Sequence, residues 1–489
     1  MQFSPESERR SGNGCAPRRE EVDECLTSLS TTPLFDRRWW PLKLRDRVPK
    51  VGPTREVTTL RTLERVTPLL RTVGVARVAD ITWLDRIGIP VYNAIVPRSH
   101  DLLSVYNGKG RTHDDARASA IMEAVERFAA WQPRTPDLVA AYTELGAAGQ
   151  AVLDPADHNL APGHAYRPDV PISWAQGYDL LHDEPVYVPL SLAGYYIRFH
   201  EVQCFAINSS NGLASGNSLE EAICHAMCEV IERDALTLAD LVSNRITHMM
   251  RNKLGASATR GAVTTLEDST PSVDLATLPE AARWFADRIQ DAGLPLVVRD
   301  ITSSIGIPSF AAVVSESLAD TFSPGHSGYG THPNAEVAVI RALTELAQSR
   351  AVDIQGMRED ISLPAGEVDN WNHHVSRGGS VDHSVWPWRE SESPARFGDV
   401  RSFPNDDVMA DIQLMLGRLR DNGLKRVIVV DRTPPGFPVH VVRVIVPGLE
   451  SWAIDQSRLG PRAKAHWNES LQLVARPRDR AAAQAGAGR

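Results

Sequence analysis

Residues 74–96 read GVARVADITWLDRIGIPVYNAIV, and this stretch decides the fold because it returns twice. It recurs as GLPLVVRDITSSIGIPSFAAVV over 293–314 and as GLKRVIVVDRTPPGFPVHVVRVIV over 423–446. Each copy keeps one order: a Gly, a β-branched strand, Asp-x-Thr, a short turn, Gly-Ile/Phe-Pro, and a second strand. The leading Gly suits the position just past a helix, where left-handed backbone is wanted. The Pro suits a strand start, where a missing N–H is tolerated. Helix-like periodicity precedes each copy, near 56–72, 278–292 and 406–422. The pattern predicts a repeated helix–strand–strand unit. Asp80, Asp300 and Asp431 are read first as turn hydrogen-bonders. The copies are unevenly spaced, with long insertions between them. That excludes a solenoid and predicts an α+β protein with its strands grouped into sheets.

The rest of the chain fits this class. Of 489 residues, 42% are hydrophobic and 23% charged, which is ordinary for a globular protein. The formal charge of −9 speaks against a general nucleic-acid-binding surface, so no nucleic acid is expected as a partner. The five cysteines, Cys15, Cys25, Cys204, Cys224 and Cys228, contain no CxxC pair, so neither a disulfide framework nor a structural zinc is expected. The opening MQFSPESERRSGNG lacks the apolar core of a signal peptide, and no apolar run reaches membrane-spanning length. A cytoplasmic protein without a membrane partner is the expectation. Residues 1–50, polar and Arg-rich with Trp39 and Trp40, read as an N-terminal extension. Residues 51–455 read as the catalytic domain, and 456–489 as a tail whose end, RPRDRAAAQAGAGR, is expected to be disordered. Residues 251–275 and 375–405 read as loops.

Chemistry is concentrated on three apolar helices: DDARASAIMEAVERFAAW (114–131), SLEEAICHAMCEVIERDALTLADL (218–241) and NAEVAVIRALTELAQSR (334–350). Each carries polar residues at i, i+4 and i+7, which places them on one face. They are Ser119, Glu123 and Glu126 on the first, and His225, Glu229 and Glu232 on the second, with Glu221 one turn earlier. On the third they are Arg341, Glu345 and Gln348. Buried carboxylates are costly unless they are paired or bind a metal. Internal salt bridges with Arg127, Arg233 and Arg341 would satisfy one such helix. Three helices with the same stripe point instead to a shared site. Glu pairs at i, i+3 offer hard oxygen ligands, suited to Mg²⁺ ions bridged by phosphates. Gly-rich stretches precede the helices: VYNGKG (105–110), SSNGLASGNS (209–218) and GHSGYGTHPN (325–334). They are read as turns that could receive phosphate at a helix start. There is no P-loop, no dinucleotide fingerprint, no HExxH and no nucleophile elbow. Residues alone predict an ATP-using enzyme built from carboxylate-bearing helices.

These motifs resemble the YcaO family, on SAIMEAVERF (119–128), SNGLASGNSLEEAICHAMCEVIERDAL (210–236) and GYGTHPNAEVAVIRALTELAQSR (328–350). The resemblance extends over roughly residues 50–455. It implies a YcaO-type fold around a nucleotide site, with ATP and Mg²⁺ as cofactors. It implies that Glu123, Glu126, Glu229 and Glu232 hold Mg²⁺. Arg233 matches a phosphate-contacting Arg, Asn217 a position near the nucleotide, and Glu221 a further acidic position. Arg341, Glu345 and Gln348 match the motif that closes the site. Arg55 and Thr62 fit a basic residue and a hydroxyl seven apart near the domain start. Ala214 departs from members that carry a Ser there. No individual catalytic residue is assigned.

The family activates peptide backbone amides by phosphorylating their oxygen, and the nucleophile then sets the product. A side chain gives an azoline, an amine an amidine, and a sulfide equivalent a thioamide. RVADITWLDRIGIPVYNAIVPRS, SVYNGKGRTHDDARASAIMEAVER and THPNAEVAVIRALTELAQSRAVDIQGMRED look most like the TfuA-associated, thioamide-forming branch. The end AAAQAGAGR, unlike the Pro-rich tail common in azoline-forming members, points the same way. The branch implies a ribosomally made precursor peptide as substrate, a TfuA-like partner, sulfide or a sulfur donor, and a homodimer. The alternatives are an azoline- or amidine-forming enzyme and a non-catalytic accessory protein. Cys224 and Cys228, one turn apart, are read as packing rather than as a sulfur relay. Tyr195, Tyr196 and Trp452 are read as core or rim rather than as a peptide groove.

Overall fold

Each repeated stretch folds into a β-hairpin, and each hairpin gains a third strand and a long helix. The computed structural model describes residues 42–486, except 98, 100–103, 133–134, 159, 161–162, 195–209, 317–324, 357–385 and 456–457. Cys15, Cys25, Trp39, Trp40, Tyr195, Tyr196 and Cys204 lie outside the described residues. The chain divides into Met1–Lys43 and Leu44–Arg489, and the second unit is described here.

In chain order, α1 (Thr59–Val66) leads to β1 (Arg77–Asp80), β2 (Val91–Ile95), β3 (Val105–Lys109) and α2 (His113–Trp131). An insertion follows with β4 (Leu138–Ala140), β5 (Ile172–Asp179) and β6 (Glu184–Pro189). Then come β7 (Leu213–Gly216) and α3 (Leu219–Ala239), which runs on through a π-helical stretch, Asp240–Ile246, into a helix at Thr247–Leu254. α4 (Ala256–Glu267) precedes α5 (Glu280–Asp291), β8 (Leu296–Asp300), β9 (Ser309–Ser315), β10 (Gly325–Thr331) and α6 (Ala335–Gly356). The last elements are α7 (Val408–Asp421), β11 (Ile428–Asp431), β12 (His440–Ile445) and α8 (Pro461–Gly486).

The strands form antiparallel sheets in the orders β1-β2-β3, β8-β9-β10 and β4-β5-β11-β12-β7, with β6 also on β5. Helix, three strands and helix are thus repeated three times. In the third unit the last strand and helix, β7 and α3, lie far upstream of α7, β11 and β12. The α+β expectation holds, and each predicted helix–strand–strand unit is the front of a five-element unit.

Local chemistry explains why the units match. Gly74, which caps a short helix at Leu70–Val73 after α1, and Gly293 and Gly423, just past α5 and α7, stand at φ of 84°, 73° and 80°. Oδ1 of Asp80, Asp300 and Asp431 accepts from the backbone N–H of Thr82, Thr302 and Thr433 at 2.9, 2.9 and 2.8 Å. Those threonine hydroxyls in turn accept from the N–H of Val91, Ser309 and Val441. The Asp-x-Thr motif therefore pins the hairpin crossover, as its turn reading expects.

The Gly-rich stretches are strands, which corrects their reading as phosphate-cradling turns. Gly108 and Gly328 face the helix that follows them, as do Gly110 and Gly216 at or just past a strand end and Gly330 within β10. A Cβ on these glycines would overlap backbone at Ala116 and Ala120 of α2, Ala222 of α3, and Ala338, Ala342 and Leu346 of α6. Glycine is present so that strand and helix can touch. The same device lets three long helices sit low on three sheets. Packing does the rest: Phe285 of α5 and Phe310 of β9 are fully buried beside Ala338 and Ala342 of α6. Truncating either Phe to Ala is expected to cost about 3–5 kcal/mol.

Residues 251–267 are helical, not a loop. Thr259 and Thr265 turn their hydroxyls back to the carbonyls of Gly255 and Gly261, and Val263 and Leu266 are buried. The hydroxyl-rich composition hid an amphipathic face. Residues of the expected N-terminal extension also join the second unit: Val48 is fully buried, and Lys50 pairs with Asp411 at 2.6 Å. α8 begins five residues into the expected tail. Its Ala463 is buried against Leu238 and Leu241, with Trp467 packed on the same cluster. Among the described residues, no helix is long and apolar enough to cross a membrane.

Candidate active site

The side chains between the paired glycines build the centre. Strand alternation turns Lys109, Ser215 and Tyr329 away from their own helices and toward the next unit. Lys109 Nζ reaches Glu345 Oε2 of α6 at 2.5 Å. Tyr329 packs on the Ala235–Ala239 side of α3. Ser215 donates to the Met122 carbonyl of α2 at 3.3 Å. Each unit thus hands one strand residue to the helix of another, in a closed cycle. α2, α3 and α6 are brought together with their polar stripes toward a common centre.

At the α2–α3 side the centre is acidic. Glu123 is held by Arg127 Nε at 3.0 Å. Burial, with repulsion from Glu123, pushes Glu126 well above the usual carboxyl range, and Glu229 adds to the push. Burial also raises Glu229, against the pull of Arg233. Glu232 is pushed up to about 7 by burial, with Arg233 opposing and Glu345 adding. Its nearest cation, Arg233, is 3.6 Å away. The salt-bridge reading is therefore satisfied at Glu123 and falls short at the other three. Among the described residues, none of these three carboxylates has a cation at hydrogen-bonding distance.

The α3–α6 side is cationic. Burial works against the Arg233 charge, but Glu232, Glu229 and Glu345 hold it above its ordinary value. Burial would raise Glu345, yet Lys109 and then Arg233 keep it below the usual carboxylate range. Arg341 lies one turn before Glu345. Gln348 follows one turn later, half-buried.

A third group closes behind them. Thr62 Oγ1 donates to Asn217 Oδ1 at 3.1 Å, and the Asn217 backbone N–H and Nδ2 donate to Glu221 Oε2 at 2.8 and 3.1 Å. Glu221 Oε1 accepts the backbone N–H of Glu56. Arg55 stands 3.8 Å from Glu221, whose side chain has no accessible surface. The structure thus brings Thr62, Asn217, Glu221 and Arg55 together. Glu221 is fully engaged by the chain itself.

Sequence reasoning missed Lys109 and Tyr329, and weighed Ser215 only as a replacement for the hydroxyl that Ala214 lacks. Their signal was present as single residues alternating with small ones before each carboxylate helix. Cys224 and Cys228 are buried among apolar side chains, and the contact with Cys228, together with burial, raises the Cys224 thiol well above its usual value. They are packing residues.

The donor set fits Mg²⁺ and phosphate. It is all oxygen on one side, which suits a hard cation, and guanidinium and ammonium on the other, which suits phosphate. Among the described residues, the carboxylates with no cation at hydrogen-bonding distance are those a bound metal would satisfy. Among the described residues, the tight triad of ligand atoms is Asp179, His182 and Glu184, within 4.8 Å of one another. Arg426 neutralises it, donating to Asp179 at 2.8 Å and Glu184 at 3.2 Å.

Carboxylate-bearing helices facing half-buried cations have the chemistry that a nucleotide and its metal require. Residues 107–450 match the family described as YcaO cyclodehydratase, ATP- and Mg²⁺-binding, and the chain belongs to that family. It is 34% identical over 420 residues to a protein of Methanothermobacter thermautotrophicus, covering 83% of this chain and 97% of the relative. It is 35% identical over 407 residues to a Rhizobium leguminosarum bv. trifolii protein described as lying in the tfuA 3′ region, covering 81% and 88% of the two chains. Two solved structures share the fold. One is the YcaO protein from Methanopyrus kandleri bound with AMPPCP and Mg²⁺ (TM-score 0.61, 24% identity, 85% of this chain and 99% of that one). The other is a heterocyclase in complex with substrate and cofactor (TM-score 0.67, 23% identity, 86% of this chain). This chain spans 55% of the heterocyclase's length.

Proposed function

We propose that this protein is an ATP-dependent synthase that installs thioamides in the backbone of a ribosomally made precursor peptide. The observation that carries the reading is the polarity of the centre: under-compensated carboxylates face half-buried cations across three convergent helices. Glu123, Glu126, Glu229 and Glu232 hold Mg²⁺, which neutralises phosphate charge when bound. Arg233 and Arg341 meet phosphate oxygens, and Lys109 holds Glu345 ionised beside them. Thr62, Asn217 and Glu221 form a preorganised wall, with Glu221 acting through Asn217 and the main chain at Glu56. Arg55 and Gln348 border the nucleotide.

An amide carbonyl is a poor electrophile. The amide oxygen takes the γ-phosphoryl group, and ADP leaves. Hydrosulfide then adds to the activated carbon, and phosphate departs with the former amide oxygen and the thiol proton. The chain's part is positioning and charge neutralisation. The thioamide branch, with a TfuA-like partner, is supported by the sequence resemblance and by the relative described from a tfuA 3′ region.

The test is to incubate the protein with ATP, Mg²⁺, sulfide, a TfuA-like partner and the precursor peptide encoded beside its gene. The intact peptide mass should rise by the replacement of oxygen with sulfur, and the gain should vanish in Glu229→Gln. Loss of one water instead would replace the thioamide reading with an azoline or amidine one. An unchanged mass with ATP bound would favour an accessory role.

A further inference from the structure

The first hairpin crossover carries an apolar surface that the second lacks. After Asp80 and Thr82 the chain reads Trp83-Leu84, where after Asp300 and Thr302 it reads Ser303-Ser304. The serines are covered. Arg462 of α8 donates to their hydroxyls at 3.3 and 3.0 Å, and Ser304 donates to Asn422, just past α7, at 2.9 Å. Trp83 and Leu84 are 74% and 47% exposed. Polar side chains thus stand where the turn is covered and large apolar ones where it is open, the reverse of what folding alone asks. Trp83 is also fixed in place. Its ring lies over Gly88, which stands at φ 70° and whose Cβ, if it had one, would meet the indole Cη2 at 2.9 Å.

Cationic side chains continue this surface. Arg288 Nη1 of α5 lies 3.3 Å from that same Cβ point, and its guanidinium is 4.4 Å over the Trp284 ring. Arg111 lies over the same ring at 5.7 Å. Two carboxylates near the turn are already taken: Asp85 by Arg350, and Glu316 by Arg350 and Arg86. Among the described residues, Arg111 and Arg288 form no ion pair, and Arg288 Nε is buried without a hydrogen-bond partner. Two indoles and two uncompensated guanidiniums therefore form one run. It begins two residues beyond Lys109, whose ammonium reaches Glu345 in the centre, so about 7 Å of chain at most separates the two.

We propose that this run is a docking site for an acidic segment of the precursor peptide, whose carboxylates meet Arg111 and Arg288 and whose apolar side chain covers Trp83 and Leu84. The proposal rests on reading the protein as a peptide-modifying enzyme. Guanidinium against carboxylate is a charge-assisted pairing, and a fixed indole offers contact area at little entropic cost. Position selects the occupant: the peptide must reach the centre, and this run starts at its edge. The chain's net charge of −9 works against a long nucleic acid in the same place.

The experiment is fluorescence anisotropy of the labelled precursor peptide encoded beside the gene, titrated with the full chain in the absence of the TfuA-like partner. The variants are Trp83→Ala, Trp83→Phe, Arg111→Gln and Arg288→Gln, and a second peptide has its Asp and Glu replaced by Asn and Gln. Trp83→Ala should weaken peptide binding by about tenfold or more, and Trp83→Phe should recover part of the loss. Each Arg variant should weaken the native peptide but not the neutralised one, because the interaction it removes is already gone. The thermal midpoint and the Mg²⁺-ATP shift of the Trp83 variants should match the wild type. Wild-type affinity in Trp83→Ala, or Arg effects of equal size on both peptides, would overturn the proposal while leaving the peptide reading intact. A Trp83→Ala defect seen in modification with the partner present, but not in peptide binding, would give the surface to the partner instead. Loss confined to a single-stranded oligonucleotide probe would give it to nucleic acid. A wild-type chain that binds no precursor peptide would overturn the peptide reading itself and this site with it.

Discussion

Glu232 and Asp234 stand two residues apart on α3, and the chain treats them in opposite ways. Asp234 is fully buried; both its oxygens receive Arg462 Nε of α8 at 2.8 and 3.0 Å, and Oδ1 also takes the Glu450 N–H at 3.1 Å. Glu232 is buried too, yet among the described residues the one cation paired with it is the Arg233 guanidinium, at 3.6 Å and on its own helix. Burial raises both carboxyls. Only Asp234 is given a cation from another element at hydrogen-bonding distance. A buried carboxylate that the chain satisfies belongs to the fold. One that it leaves short of positive charge is waiting for a ligand.

The comparison breaks most visibly at Arg462. Arg462→Ala strands the Asp234 charge, and urea unfolding should show a loss on the order of 3–5 kcal/mol. The opposite outcome is expected for Glu232→Gln. Peptide modification should fall at least about 100-fold, while the ligand-free protein keeps its stability or gains some. The folded pKa of Glu232, about 7, lies above its ordinary 4.5. Its favourable protonated form is therefore fully present below about pH 4.5 and is lost as pH rises through about 7, with a ceiling of about 3 kcal/mol. The midpoint advantage of Glu232→Gln over wild type should grow from about pH 5 to about pH 8. A constant difference across that range would refute the charge argument.

Smaller effects sharpen the same contrast between the centre's framework and the surface. Gly330→Ala pushes a Cβ into the backbone of α6 near Ala338. It should cost about 3 kcal/mol and lower activity with it, because α6 carries Arg341 and Glu345. Gly417 sits inside α7 with open space where a Cβ would project. Gly417→Ala should add about 0.5–1 kcal/mol and leave activity alone. Chemical denaturation of the two variants checks the pair.

Much of the fold was legible because its signals are local. A Gly after a helix, an Asp-x-Thr turn and a Pro at a strand start each act within a few residues, and all three copies announced themselves. The third unit was only half visible, because β7 and α3 precede its hairpin by some two hundred residues of chain, and pairing across that distance leaves no local trace. The stripe of Glu123, Glu126, Glu229, Glu232, Arg341 and Glu345 was legible as helical spacing. Lys109 was not, since glycine on both sides reads equally well as a turn. Only the close approach of α2 shows that those glycines serve packing and that Lys109 must project the other way. Thr259 and Thr265 misled for a related reason: hydroxyls that favour loops can return their hydrogen bond to the helix backbone.

The central claim is that this centre drives phosphoryl transfer to a peptide amide oxygen. The most direct measurement uses precursor peptide labelled with oxygen-18 in its backbone carbonyls, followed by mass analysis of the inorganic phosphate released. The account predicts one labelled oxygen in phosphate for each bond modified, with ADP as the nucleotide product and no release from Glu229→Gln. Modified peptide accompanied by unlabelled phosphate, or by AMP and pyrophosphate, would contradict it.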